Sequence, residues 1–167
     1  MKYTPQQQTI IKEMKEYLKS MRSLKRERFH LLEEYKEEPA PHSPRFDEPK
    51  GQSISQITRF NDYMQKRELL QMRIQLFDQI LDQFMLITFL LPARQRCILE
   101  VYMEAMTYEE MLTLLNEKYF ISTSTYKREL PEICLGLSQY IDYHKKPSLE
   151  EINKQYLKNI QSLKDDR

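Results

Sequence analysis

The chain has few glycines, few cysteines, no tryptophan and no long hydrophobic run. Only two of its 167 residues are glycine, so glycine-rich loops of the kind that cradle phosphates are not expected. The longest apolar run, FMLITFLLP at 84–92, is far shorter than the about 20 residues that a membrane-spanning helix needs. The sequence therefore predicts neither a phosphate-cradling loop nor contact with a membrane.

Cysteine and histidine give no sign of a catalytic or metal site. Cys97 and Cys134 each lie in an apolar segment, which is typical of buried, reduced thiols in a cytoplasmic protein. The histidines, His30, His42 and His144, have no cysteine or acid nearby at the spacing of a nucleophile or a metal ligand. We therefore expect no enzymatic activity, no metal and no cofactor.

The residues that are abundant favour an all-α fold. Hydrophobic residues make up 40% and charged residues 31% of the chain, a balance typical of amphipathic helices. Thr4 and Gln7 form a capping box around Pro5, so a first helix should begin near residue 5. Its apolar seam alternates steps of three and four and runs through Met14, Tyr17, Met21, Leu24, Arg28, Leu31 and Tyr35.

A proline-rich loop at 38–52 should separate this helix from a second long one that begins at Ser53. The second seam runs through Leu70, Ile74, Phe77, Leu81, Phe84, Thr88 and Leu91. Residues 1–91 are thus predicted to form a helical hairpin that resembles a coiled coil. The seams allow two arrangements: the hairpin closes within one chain, or its second helix pairs with a second copy. A homodimer is expected on the length of the seam.

Shorter helices follow Pro92. The sequence predicts helices at 92–104, 107–119 and 122–143, the second of which begins with a capping box of Thr107 and Glu110. Another box, Ser148 with Glu151, begins a C-terminal amphipathic helix within 144–167. The predicted domains are therefore the hairpin at 1–91, a helix-turn-helix domain at 92–143 and the C-terminal helix at 144–167.

The third short helix has the pattern of a DNA recognition helix. Such a helix presents polar residues of its first turns to the major groove and buries its opposite face. The buried face is predicted to contain Ile121, Tyr126, Leu130 and Ile133, and the helix is expected to bend at Pro131 and continue. The candidate DNA-binding residues are Ser122, Thr123, Ser124, Thr125, Lys127 and Arg128.

Charge supports this hypothesis only at the motif itself, where residues 118–128 contain three cations and no acid. The formal net charge is only +1, and residues 92–147 contain seven cations against eight acids. DNA affinity of one isolated domain should therefore be weak. A second basic stretch at 19–28 has five cations and one acid; it either contacts DNA beside the motif or forms a solvated helix face.

The segment LPARQRCILEVYMEAMTYEEMLTLLNEKYFISTSTYKRELPEICLGL at 91–137 resembles the helix-turn-helix of sigma-factor region four. More narrowly, it resembles the ArpU/RinA-type late transcriptional regulators of phages from Gram-positive bacteria. The resemblance implies binding to double-stranded DNA at a promoter or operator and activation of late phage or prophage genes. One departure is NEKYF, which replaces the usual glycine-centred turn and is expected to lengthen the connection between the two helices by about four residues.

Two other functions fit the same residues. A small terminase subunit would bind packaging-site DNA through a similar motif and assemble into a ring through its coiled coil. A protein-interaction module would instead bind host RNA polymerase or a sigma factor through the exposed hairpin.

Overall fold

The computed structural model describes residues 2–37, 39–41 and 50–166, which form six α-helices and no strand. The all-α prediction is therefore confirmed. The helices are α1 (Pro5–Glu37), α2 (Lys50–Thr88), α3 (Ala93–Glu104), α4 (Tyr108–Tyr119), α5 (Thr123–Ser138) and α6 (Leu149–Asp165).

Hydroxyl caps fix where the helices begin. The backbone N–H of Thr4 donates to Oε1 of Gln7 at 2.9 Å, and the N–H of Gln7 donates to Oγ1 of Thr4 at 3.2 Å. The hydroxyls of Thr107 and Ser148 likewise accept from the N–H three residues later and begin α4 and α6. These contacts satisfy backbone donors that the first turn of a helix leaves unpaired, and they confirm the predicted starts.

Two predicted boundaries were wrong. The second long helix begins at Lys50, so residues 50–52 are helical rather than part of the loop. Residues 42–49, with His42 and the centre of the predicted proline-rich loop, lie outside the described part of the chain. Helix α5 ends at Ser138, five residues before the predicted end at 143, where the Ser138 hydroxyl donates to the carbonyl of Leu135 at 2.7 Å. The backbone then continues through a turn in which Tyr140 bonds back to Leu137.

Helices α1 and α2 pack against each other as an antiparallel hairpin within one chain. Arg28 of α1 forms an ion pair with Asp78 of α2. Further along α1, the carbonyl of Tyr35 accepts from Arg67 at 3.0 Å, so later residues of α1 meet earlier residues of α2. The predicted second seam is confirmed with two differences: Leu70 is only half-buried, and Leu91 lies three residues beyond the end of α2. The buried members are Ile74, Phe77, Leu81, Phe84, Thr88 and Leu91.

Helix α1 also packs against α3 and α5. Leu18, which the predicted seam does not include, is therefore almost completely buried. In the sequence it lies between Met14 and Met21, which the seam does include. A helix with partners on two sides needs a wider apolar stripe than a two-helix seam provides. The hydrophobic core consequently extends from the hairpin into the shorter helices and reaches Ile152 of α6, while the division into domains at residues 91 and 92 stays a prediction.

The basic stretch at 19–28 makes contacts inside the chain. Arg22 donates to the carbonyl of Ala105, and Arg26 donates to the carbonyl of Met106 at 2.6 Å. Both carbonyls follow the last residue of α3, where cations are favourable because the helix dipole is negative there. Together with the ion pair of Arg28, three of the five cations hold other helices in place. A solvated face therefore does not describe these three cations, whereas contact of the stretch with DNA stays a prediction.

Replacement of Phe77 by Ala tests the α2 seam. Phe77 is 0% exposed, so Phe77→Ala should lower the free energy of unfolding by about 3–5 kcal/mol in urea titrations. The matched control is Phe89→Ala, because Phe89 is 64% exposed and its ring lies beside the guanidinium of Arg96. The control should cost less than about 1 kcal/mol. Equal destabilisation of the two variants would contradict the seam.

Candidate nucleic-acid interface

A turn of three residues, 120–122, joins α4 to α5. Phe120 adopts the left-handed conformation, with φ 55° and ψ 34°, and its N–H bonds to the carbonyl of Asn116 at 3.1 Å. The N–H of Ile121 bonds to the carbonyl of Leu115 at 3.0 Å. Phe120 thus holds the position that glycine usually occupies at a helix end. The predicted lengthening by NEKYF was wrong, because residues 116–119 continue α4.

The inner face of α5 anchors it to the core. Ile121, Tyr126 and Ile133 are buried and Leu130 is half-buried, as predicted. The ring of Tyr126 meets that of Tyr108 edge to face, with 6.3 Å between the ring centroids. Burial raises the pKa of Tyr126 to about 12. Aromatic and aliphatic contacts of the inner face therefore hold the first two turns of α5 against the core.

The outer face of the same turns carries the hydroxyl cluster. The Oγ of Ser122 accepts from the N–H of Thr125 at 3.2 Å and lies 3.0 Å from Oγ of Ser124. Ser122, Thr123 and Ser124 are exposed, whereas Thr125 is half-buried. Hydroxyls and backbone N–H groups at the start of a helix are suitable donors for phosphate oxygens.

The two candidate cations differ in their surroundings. Lys127 and Arg128 are both exposed. Nη2 of Arg128 lies 3.9 Å from Oε1 of Glu129, a carboxylate that also lies 4.0 Å from Nη1 of Arg94. Lys127 makes no ion pair with another residue of the described ranges. Lys127 thus carries the less compensated charge of the pair, a difference that residue type alone did not indicate.

The second half of α5 is tied to the N-terminal segment. The helix continues through Pro131 as predicted; the bend itself stays a prediction. Proline has no N–H to donate to the carbonyl of Lys127 four residues earlier. Immediately after it, Glu132 accepts from the hydroxyl of Tyr3 at 2.8 Å and pairs with Lys2 at 3.1 Å. The hydrogen bond from Tyr3 and the contact with Lys2 lower the pKa of Glu132.

The two cysteines have different environments, and both are free thiols. Cys134 is buried as predicted, and burial raises its pKa to about 11. Cys97 is only half-buried, so the prediction of burial was wrong there. Within the described ranges, no three His, Cys, Asp or Glu side chains cluster closely enough to hold a metal ion, and no helix has the length and apolar character needed to cross a membrane.

Comparison of the chain with protein-family models, curated proteins and solved structures gave no match. Function is therefore inferred from the residues of the chain itself.

Phe120→Gly tests the conformation of the turn. Glycine adopts the left-handed conformation without the penalty of about 1 kcal/mol that a side chain incurs. Since Phe120 is 90% exposed, removal of its ring sacrifices little packing, and the free energy of unfolding should rise by about 1 kcal/mol. Phe29→Gly is the matched control, because exposed Phe29 lies inside α1 and glycine there should cost about 1 kcal/mol. Destabilisation by Phe120→Gly would contradict this account of the turn.

Alkaline pH should destabilise the fold through Tyr126 and Cys134. Their folded-state pKa values are raised to about 12 and about 11 by burial, so the unfolded chain loses these protons at lower pH than the folded chain. The stability they contribute is complete below about pH 8 and is lost as the pH rises towards 12. Urea titrations at pH 8 and pH 11 measure how far the free energy of unfolding falls between the two pH values. This fall should be smaller for Tyr126→Phe than for the wild type. For Tyr140→Phe, at an exposed site, it should equal that of the wild type. Equal losses of stability by the wild type and Tyr126→Phe would contradict the role of Tyr126.

Proposed function

We propose that this protein is a sequence-specific regulator of transcription that binds double-stranded DNA, with α5 entering the major groove. The supporting observation is the division of α5 into two faces. Ser122, Thr123, Ser124 and Lys127 are exposed on its first turns, while the opposite face is held by buried Tyr126. A recognition helix needs this combination of a rigid support and a polar outer face.

Each outer residue has a proposed partner on DNA. The hydroxyls of Ser122, Thr123, Ser124 and Thr125 donate to phosphate oxygens together with the first backbone N–H groups of α5. Lys127 contacts phosphate as a compact charge. Arg128 exchanges its weak contact with Glu129 for a bidentate contact with a guanine. Because Nη2 of Arg128 lies 3.9 Å from Oε1 of Glu129 and the Arg128 side chain is 62% exposed, this exchange disrupts no buried ion pair.

Two copies are proposed to bind together. The net charge of +1 provides little counterion release, so a second reading helix is needed for useful affinity. The exposed residues Ile57, Phe60 and Met64 of α2 repeat in steps of three and four, the spacing of a coiled-coil seam. A homodimer through this part of α2 would present two copies of α5 to two half-sites of a promoter or operator.

The finer proposal is activation of late phage or prophage genes, and it rests on the resemblance of residues 91–137 to late regulators. A groove between α1 and α3 favours a protein partner as well, because it is lined by Phe29, Met103 and Met106 with Lys25 and Arg26 beside them. Host RNA polymerase or a sigma factor would be that partner, either alongside DNA or, as the alternative function, in its place. A small terminase subunit is the remaining alternative, and a ring of eight or more copies in solution would favour it over a regulator.

The double variant Lys127→Ala with Arg128→Ala tests DNA binding by α5. In gel-shift titrations with DNA from the region around its own gene, we expect its affinity to fall at least about tenfold. The dependence of affinity on salt should become shallower by about one unit of slope for each phosphate that the variant no longer neutralises. The matched control is Lys145→Ala with Lys146→Ala, an exposed pair outside the motif, which should bind nearly as the wild type does. Unchanged binding by the first variant would exclude α5 as the reading helix.

A further inference from the structure

Phe120 combines two unfavourable properties in one residue. It is 90% exposed, more than any other large apolar side chain in residues 2–37, 39–41 and 56–166. It is also their sole non-glycine residue with a positive φ, at 55°. Water disfavours an exposed phenyl ring, and the left-handed backbone disfavours any side chain with a Cβ.

The fold does not require the phenyl ring. The turn is formed by backbone hydrogen bonds from the N–H groups of Phe120 and Ile121 to the end of α4, and glycine would make the same bonds with less strain. At 90% exposure the ring contributes little to the core. Backbone strain that the fold could avoid is often associated with a functional site.

The surroundings of Phe120 favour DNA over a protein partner. The exposed residues that follow it, Ser122, Thr123, Ser124 and Lys127, are polar or cationic. Residues 118–128 contain three cations and no acid, which suits a polyanion. A protein partner would more often meet a patch of several apolar side chains around the ring.

Major-groove chemistry offers one apolar group to such a ring. The C5 methyl group of thymine is the apolar feature of the base edges, and phenylalanine is among the side chains that contact it. Phe120 lies two residues before the cap of α5, at the end of the helix that a helix-turn-helix directs towards the bases.

We infer that Phe120 is a further specificity-determining residue, whose ring packs against the methyl group of a thymine in the major groove. This inference rests on the proposed function of α5. It explains why the α4–α5 turn has phenylalanine at a position where glycine would be less strained.

The test removes the methyl group and the ring separately. The wild-type protein first selects its preferred duplex from a random-sequence pool, and each thymine of that duplex is then replaced by deoxyuridine, which lacks only the methyl group. One replacement should weaken wild-type binding by about fourfold or more, the value of one buried methyl-sized group. Phe120→Gly should bind the thymine duplex more weakly by at least about the same factor and should not distinguish thymine from uracil there.

Two control variants distinguish loss of the methyl contact from loss of folding. Phe120→Leu retains an apolar side chain and should keep part of the sensitivity to the methyl group. Phe89→Ala removes an exposed ring between α2 and α3 and should bind the selected duplex as the wild type does. Urea titration of each variant establishes the folded fraction under the binding conditions.

Other outcomes would overturn the inference in distinguishable ways. If Phe120→Gly binds as tightly as the wild type, or keeps the full sensitivity to uracil, Phe120 does not contact the methyl group. If the wild type selects a duplex but binds every uracil-substituted duplex as tightly, the inference about Phe120 fails while the proposed function stands. If the wild type selects no sequence and binds no duplex, the proposed function fails together with the inference.

Discussion

Helix α1 packs against three other helices, and their positions depend on this packing. One side of its apolar stripe packs against α2, and the other side packs against α3 and α5. Met14, Leu18 and Met21 are at most 1% exposed as a result. Arg22 and Arg26 add charge-assisted hydrogen bonds to the carbonyls that follow α3. The same helix therefore supports the hairpin and holds the segment between α3 and α4 against the core.

Packing of the inner face of α5 against the core gives its outer face a defined position. Tyr126 anchors the first half of the helix, and Glu132 joins the second half to Tyr3. The hydroxyls and Lys127 are consequently carried on a rigid element, although their own side chains point into solvent. Preorganisation of this kind reduces the entropy lost when a partner binds. It compensates in part for the small positive charge around the motif.

Local signals in the sequence predicted the helix starts, and contacts between distant segments were not predictable in the same way. Thr4, Thr107 and Ser122 cap their helices because a hydroxyl acts on a backbone N–H only three residues away. The burial of Leu18 and the carbonyl contacts of Arg22 depend instead on which helices pack against α1, which periodicity does not specify. Phe120 was missed because no residue pattern requires a phenylalanine to adopt a left-handed conformation. Helical periodicity predicted the exposure of five of the six candidate DNA-binding residues, whereas Thr125 is half-buried. The contact of all six with DNA stays a prediction.

The bond between Tyr3 and Glu132 joins residues 129 positions apart in sequence. Ribosomes add about 5–20 residues per second, so α1 waits for roughly 5–20 s between its own completion at Glu37 and the completion of α5 at Ser138. During that interval the part of its stripe that will pack against α5 has no partner from its own chain and is available to chaperones or to other nascent chains. The hairpin with α2 can form earlier and shield the other side. Folding on the ribosome is therefore expected to proceed through a half-covered α1. Docking of α5 then covers the rest of its stripe, before α6 has been synthesised and can pack against α2.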